Sequence, residues 1–255
     1  MEGIEGHMKN NLFQLIKPGN GNNQVICFPY LGGNVYAYNQ FANSLHDDVE
    51  VWAVNPPGHG GDTNALIADI HTLLDLYFEQ LITIIKPQAI LFGHSMGGII
   101  AYLLAQKLHN TRDYDLAQMK LVLSACNPPN EYEMNKYTSL TNDKLIEHLI
   151  SYGGVPEELI HEKNILEFLL PTIRADYGVL ETASTLEIQP IRIPTYYFWG
   201  ENDSIVPVDS ITSWLSYFDN ELQVIPIENG SHMFISAHAD VVAHQMEQII
   251  FREEQ

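Results

Sequence analysis

Short runs of consecutive apolar residues alternate along the chain with longer stretches in which apolar residues recur every three or four positions. The first clear run is Gln24-Val25-Ile26-Cys27-Phe28, closed by Pro29 and followed by Gly32-Gly33. A second, Val49 to Val54, stops at Asn55-Pro56-Pro57-Gly58. Runs of this length, rich in β-branched and aromatic residues and bounded by Pro and Gly, predict strands. From Leu66 and Ile67 through Ile70, Leu73, Leu74 and Tyr77 to Ile82 and Ile85 the spacing turns helical. It predicts a long helix with one buried face, capped at Asp62 or Thr63.

The alternation continues. Gln88 to Phe92 predicts a third strand, and a helix carrying Ile99, Ile100, Leu103, Leu104 and Leu108 follows at once. Lys120 to Ser124 predicts a fourth strand, ending at Asn127-Pro128-Pro129. Thr195 to Trp199 predicts a fifth, Leu222 to Ile225 a short sixth, and Val241, Val242, Met246, Ile249 and Ile250 stripe a last helix. Strands alternating with helices predict an α/β fold, a parallel sheet covered by helices. The stretch from about Glu131 to Ile188 departs from this rhythm. It reads as several amphipathic helices, with Gly153-Gly154 and Pro156 between two of them and no strand signal. Such an insertion above the carboxyl ends of the strands is either a structural excursion or a lid. Loops at that edge carry function in such sheets, which favours the lid.

The 255 residues, 45% of them apolar, are enough to bury a sizeable core. No internal repeat is visible. Cys27 and Cys126 offer neither a disulfide framework nor metal-ligand spacing and read as core thiols, compatible with a cytoplasmic setting. No apolar run reaches the roughly 18 residues of a membrane helix, and the N-terminus has no signal-peptide pattern. Gly6-His7-Met8 looks like a cloning remnant, so residues 1–7 are set aside and one domain is expected over 8–255. The net charge of −20 makes nucleic acid and anionic membranes poor partners.

The candidate chemistry begins at Gly93-His94-Ser95-Met96-Gly97. Here Gly-x-Ser-x-Gly lies between a predicted strand and a predicted helix. That context suits a tight turn that exposes a nucleophilic serine, with small flanking residues letting strand and helix approach. The Met96 N–H, at a helix N-terminus, would face developing negative charge. His94 is adjacent to Ser95 on a sharp turn and points away from it, so it reads as structural support.

A serine hydroxyl needs a base, and the chain has eleven histidines. Sites of this kind run serine, acid, histidine along the chain. That order disfavours His109, His148 and His161. His232, in Gly230-Ser231-His232-Met233-Phe234, lies in a turn between the last strand and the last helix. His238 and His244 are rivals, but they sit in or beside that helix. The acid should end a late strand, and Asp203 does so, with Glu201 as the competing carboxylate. Asp203 would hold the neutral His232 tautomer. A second oxyanion donor should come from Pro29-Tyr30-Leu31-Gly32-Gly33. The Leu31 N–H is assigned, with Tyr30 as the near alternative.

Together these segments resemble the type II thioesterases, the stand-alone editing enzymes of non-ribosomal peptide and polyketide synthesis. The resemblance rests on Cys27 to Gly33, Pro56-Pro57-Gly58-His59-Gly60, Gly93 to Gly98, Leu170 to Tyr177 and Gly230 to Phe234. It spans about Leu12 to Ile250. It implies an α/β-hydrolase fold, a mostly parallel central sheet with helices on both faces and a helical lid over about 131–188. It also implies hydrolysis of misprimed or stalled acyl groups from the phosphopantetheine arm of an acyl or peptidyl carrier protein. Ser95, Asp203 and His232 would be catalytic, Met96 and Leu31 would bind the oxyanion, and no cofactor or metal is needed. Arg174, Asp176 and Tyr177 would serve packing or a substrate channel. Leu31 stands where the family often has alanine, which would narrow the acyl pocket. A monomer is expected. A small, largely apolar docking patch is also expected, because enzyme and carrier are both acidic. The alternatives on the same fold are a carboxylesterase or lipase and an acyltransferase. A binding protein without activity is disfavoured by the complete Ser95, Asp203 and His232 set.

Overall fold

The apolar runs become the strands of one sheet. The computed structural model describes residues 12–111, 113–132, 136–151, 155 and 159–252. The strands are β1 (Phe13–Lys17), β2 (Asn23–Phe28), β3 (Val49–Val54), β4 (Ile90–His94), β5 (Lys120–Ser124), β6 (Thr195–Gly200) and β7 (Leu222–Ile227). They lie in the order β1-β3-β2-β4-β5-β6-β7. Every neighbouring pair is parallel except β1 with β3. The central strands are buried on both faces, which is why they read as near-continuous apolar runs.

Side chains alternate across the sheet and build two cores. Ile26, Phe28, Leu91 and Leu121 face the layer that holds α2 (Ile70–Ile84) and α3 (Met96–Thr111). Val25, Cys27, Val51 and Phe92 face the opposite layer, which holds α1 (Asn39–Ser44) and the C-terminal helix. Between β5 and β6 the described residues form two short 3-10 turns, then α4 (Asn142–Ser151) and α5 (Lys163–Ala183), with no strand among them. Gly153-Gly154 and Pro156, expected between two helices, lie outside the described residues, as do residues 1–7. After β6 come α6 (Val208–Ser213), β7, α7 (Phe234–Ala237) and α8 (Ala239–Ile250). In α8, Val242, Met246 and Ile249 are buried, while Val241 faces outward. Cys27 and Cys126 are buried free thiols, as expected.

One expectation needs correction, and one strand was not expected. The long helix starts at Ile70, capped by Asp69, whose carboxylate accepts from the Thr72 N–H at 2.9 Å. Asp62 does not cap it: Asp62 accepts from the Gly58 N–H at 2.8 Å. Leu66 belongs to the preceding loop and packs against Gly58. Its apolar character is used for loop packing, which helical periodicity cannot distinguish from a helix face. The strand β1 had no clear signal. It is a five-residue antiparallel edge strand in which Phe13 is buried and Leu15 is exposed.

Candidate active site

β4 ends at His94 and α3 begins at Met96, so Ser95 alone makes the turn. It does so at φ +53°, in the left-handed region. This conformation costs a non-glycine residue about 1–3 kcal/mol and persists only where surroundings enforce it. The Ser95 N–H donates to the Ser124 carbonyl at 2.7 Å, and the Gly98 N–H donates to the Ser95 carbonyl at 2.9 Å. A Cβ at Gly93 would lie 2.0 Å from the Gly97 oxygen, and one at Gly97 would lie 1.9 Å from the Phe28 oxygen. The two glycines are therefore a steric requirement of the turn, as the sequence suggested.

His232 and Asp203 come to this serine from the loops after β7 and β6. His232 Nδ1 lies 2.9 Å from Asp203 Oδ2, and His232 Nε2 lies 3.2 Å from Ser95 Oγ. Asp203 Oδ1 accepts from the N–H groups of Ile205 and Val206 at 2.8 and 3.0 Å. The carboxylate side chain has no exposed surface, so both oxygens are satisfied from within the protein. With Nδ1–H donating to Asp203, Nε2 is free to accept the serine proton. The two loops are stitched together as well: the Asn202 N–H donates to the Gly230 carbonyl at 2.9 Å. Glu201, the competing carboxylate, is exposed and lies 3.4 Å from the Asn229 N–H.

His94 turns away from Ser95. Its Nδ1 lies 2.8 Å from Ser124 Oγ and its Nε2 lies 2.9 Å from the main-chain carbonyl of His232. A carbonyl only accepts, so Nε2 carries the proton and Nδ1 accepts from Ser124. Burial and the neighbouring His232 hold the His94 pKa well below the usual imidazole value. His94 is therefore a neutral prop between the serine turn and the His232 loop. The sequence suggested support for the turn; the tie to His232 carried no sequence signal.

The loop after β2 borders the serine turn, because β2 pairs with β4. Its Gly33 N–H donates to the Tyr30 carbonyl at 2.8 Å. Its Gly32 has φ +74° and donates its N–H to Asp176 Oδ2 at 2.6 Å. With those two amides engaged, Leu31 and Tyr30 hold the remaining N–H groups of the loop. Met96 opens α3, where its N–H has no intrahelical acceptor.

Of the three insertion residues singled out by resemblance, Arg174 packs. Its guanidinium donates to the carbonyls of Thr138 and Leu140 at 2.5 and 2.9 Å and to Asn142 Oδ1 at 3.0 Å. Tyr177 OH lies 2.9 Å from His148 Nε2. Asp176 and Tyr177 are both buried, and Asp176 reaches two loops at once. A cavity of about 380 Å³ lined by Asn23, Gln24, Gln88 and Lys120 lies at the amino ends of the strands, the edge opposite Ser95.

The strand order, the one-residue serine turn and the two late loops define an α/β-hydrolase fold. The thioesterase domain family model matches residues 23–250, and the chain belongs to that family. The chain is 24% identical to the gramicidin S biosynthesis protein GrsT of Aneurinibacillus migulanus, over 83% of this chain and 82% of that protein. It is 29% identical to the medium-chain S-acyl fatty acid synthase thioesterase of Rattus norvegicus, over 62% of this chain and 61% of that enzyme. The solved structure of BorB, the type II thioesterase from the borrelidin biosynthetic cluster, matches with a TM-score of 0.80 at 24% identity. The match covers 94% of this chain and 98% of BorB.

Proposed function

We propose that this chain is a serine thioesterase that clears misprimed or stalled acyl groups from the phosphopantetheine arm of carrier proteins. The observation that carries the reading is the unbroken hydrogen-bond path from Asp203 through His232 to Ser95. His232 Nε2 takes the Ser95 proton as Oγ attacks the thioester carbonyl. The carbonyl oxygen becomes an oxyanion, received by the N–H groups of Met96 and Leu31. The carbon–sulfur bond then breaks, and the thiol leaves with the proton held by His232. Water, deprotonated by His232, attacks the acyl-serine and releases the acid and free Ser95. Asp203 keeps Nδ1–H in place and stabilises the imidazolium throughout. Neither a cofactor nor a metal enters any step.

Membership of the thioesterase domain family supports the thioester as electrophile. The likeness to GrsT, a protein of gramicidin S biosynthesis, supports the carrier-bound acyl group. On this reading α4 and α5 belong to a lid over the acyl chain and the pantetheine arm, on one domain spanning 8–255, and the enzyme acts as a monomer. The test is hydrolysis of a panel of acyl-loaded carrier proteins by the wild type and by Ser95→Ala. Release by the wild type alone is expected. Faster cleavage of the matching oxygen esters would move the assignment to a carboxylesterase.

A further inference from the structure

The Asp176 carboxylate lies in the middle of α5, yet one of its oxygens joins two loops at the carboxyl edge of the sheet. Oδ2 accepts from the Gly32 N–H at 2.6 Å and lies 3.1 Å from His59 Nε2. The side chains of Asp176 and His59 are each only 4% exposed. His59 Nδ1 lies 3.0 Å from the Pro57 carbonyl. That carbonyl only accepts, so Nδ1 carries a proton. Facing a carboxylate, Nε2 carries one too. His59 is therefore an imidazolium inside a buried ion pair.

The surroundings agree with that protonation state. Burial by itself would lower the His59 pKa. The hydrogen bond and charge of Asp176, the Pro57 carbonyl and the charge of Asp62 outweigh it, and the pKa ends above the usual value. The titratable groups facing the pair are Asp176 on α5, Asp62 on the loop of His59 itself, and the Tyr77 phenol on α2. That phenol is buried, has no hydrogen-bond partner among the described residues and feels the Asp176 charge.

The pair acts on the oxyanion loop. The Gly33 N–H to Tyr30 carbonyl bond and the positive φ of Gly32 mark a type II turn with Leu31 as its second residue. A type II turn differs from a type I turn by rotation of its central peptide, here Leu31–Gly32. The bond from the Gly32 N–H to Asp176 selects the rotated form and so fixes the turn that the Leu31 N–H enters, on the preceding Tyr30–Leu31 peptide. Ile173, one turn back on α5, lies over the same glycine. The helix is seated on the rest of the fold nearby: Thr182 Oγ1 accepts from the Ile70 N–H at 2.9 Å, and Gly178 lies against the Ala68 carbonyl.

We propose that Asp176 and His59 are positioning residues that hold the Leu31 amide in register with Ser95, so that the oxyanion site is complete only while α5 is seated. The proposal rests on the assignment of Ser95 and Leu31 made under the proposed function. It gives the helical insertion a part in transition-state stabilisation besides covering the acyl chain. It also makes the oxyanion loop sensitive to the charge on His59. As pH rises through the His59 pKa, the pair loses its cation, and the Asp176 carboxylate loses the partner that aims it at the Gly32 N–H.

The test measures kcat and KM on a short acyl-pantetheine thioester between about pH 5.5 and 10, a span that brackets the imidazole titrations. The proteins are the wild type, Ser95→Ala, Asp176→Asn and His59→Gln, each also followed by thermal melting. Asp176→Asn is expected to lower kcat on the order of 10²-fold, the scale of losing one oxyanion donor, with KM changed by less than about threefold. The wild type is expected to lose kcat on the alkaline side, and His59→Gln is expected to lower kcat and to remove that alkaline fall. A folded Asp176→Asn with wild-type kcat overturns the proposal, and so does an unchanged alkaline limb in His59→Gln. His59→Gln decides the matter by itself if Asp176→Asn fails to fold. Hydrolysis that survives in Ser95→Ala would instead overturn the underlying assignment of the nucleophile.

Discussion

His94 Nε2 donates to the main-chain carbonyl of His232 at 2.9 Å, so the residue beside the serine holds the loop that carries His232. The second ring nitrogen meets Ser124 Oγ at 2.8 Å, on the neighbouring strand. His94→Phe keeps the ring volume and removes both bonds. Each buried group left without a partner costs about 1–3 kcal/mol. We expect a destabilised but folded protein, read by urea denaturation. We also expect kcat to drop by about tenfold or more as His232 loses its fixed geometry.

His94 and His59, both buried, should shape stability in opposite directions. His94 has a folded pKa well below that of a free imidazole. The unfolded chain then binds a proton that the folded chain refuses, so stability falls as pH drops below about 6.5. His59 has a raised folded pKa. Its contribution is full below about 6.5 and is lost as pH rises through the folded value. Urea midpoints measured across pH should show His94→Phe flattening only the acid side and His59→Gln only the alkaline side.

The serine turn should tolerate no side chain at its glycines. A methyl group at Gly97 would sit 1.9 Å from the Phe28 carbonyl oxygen, and one at Gly93 would sit 2.0 Å from that of Gly97. Both obstacles are backbone, which has no rotamer to give way. Gly93→Ala and Gly97→Ala are each expected to cost more than about 3 kcal/mol. Melting temperature and yield of folded protein check this.

Glu201 and Asp203 stand two residues apart with different surroundings. Asp203 is enclosed and bonded to His232, whereas Glu201 is exposed. Asp203→Asn should reduce kcat on the order of 10⁴-fold, because the amide favours the wrong His232 tautomer. Glu201→Gln should leave kcat within about twofold, since exposed substitutions away from the site change little. Steady-state hydrolysis of one thioester by both variants separates the two carboxylates.

Binding of an acidic carrier protein cannot draw on long-range attraction to a chain of net charge −20. Raising salt from about 50 to 300 mM shortens the screening length by about 2.5-fold and should leave carrier affinity unchanged or improved. Calorimetric titration with an acyl-loaded carrier at both salt levels measures it. A steep loss of affinity would count against a largely apolar docking patch.

Much of the fold was legible because the central strands are buried on both faces and therefore carry unbroken apolar runs. β2, β4 and β5 stand close to where those runs predict. β1 was silent, since an edge strand of five residues with one buried aromatic produces little pattern. The start of α2 was misplaced because Leu66 is apolar to pack on Gly58, a loop contact that looks like helix periodicity.

The serine turn belongs to the part that the sequence determined alone. Gly93, Ser95 and Gly97 are neighbours in the chain, and local sterics between a strand and the next helix leave few other residue choices there. That Asp203 and His232 follow Ser95 on loops after late strands was likewise readable from which strands end where. Tertiary structure decided everything that depends on two distant segments meeting. It separated Asp203 from Glu201 by the direction each carboxylate takes from one turn. It tied His94 to the His232 loop and brought Asp176 of α5 onto Gly32 and His59. Such contacts use single polar atoms with no periodicity of their own, so only the packing that brings them within about 3 Å gives them a role.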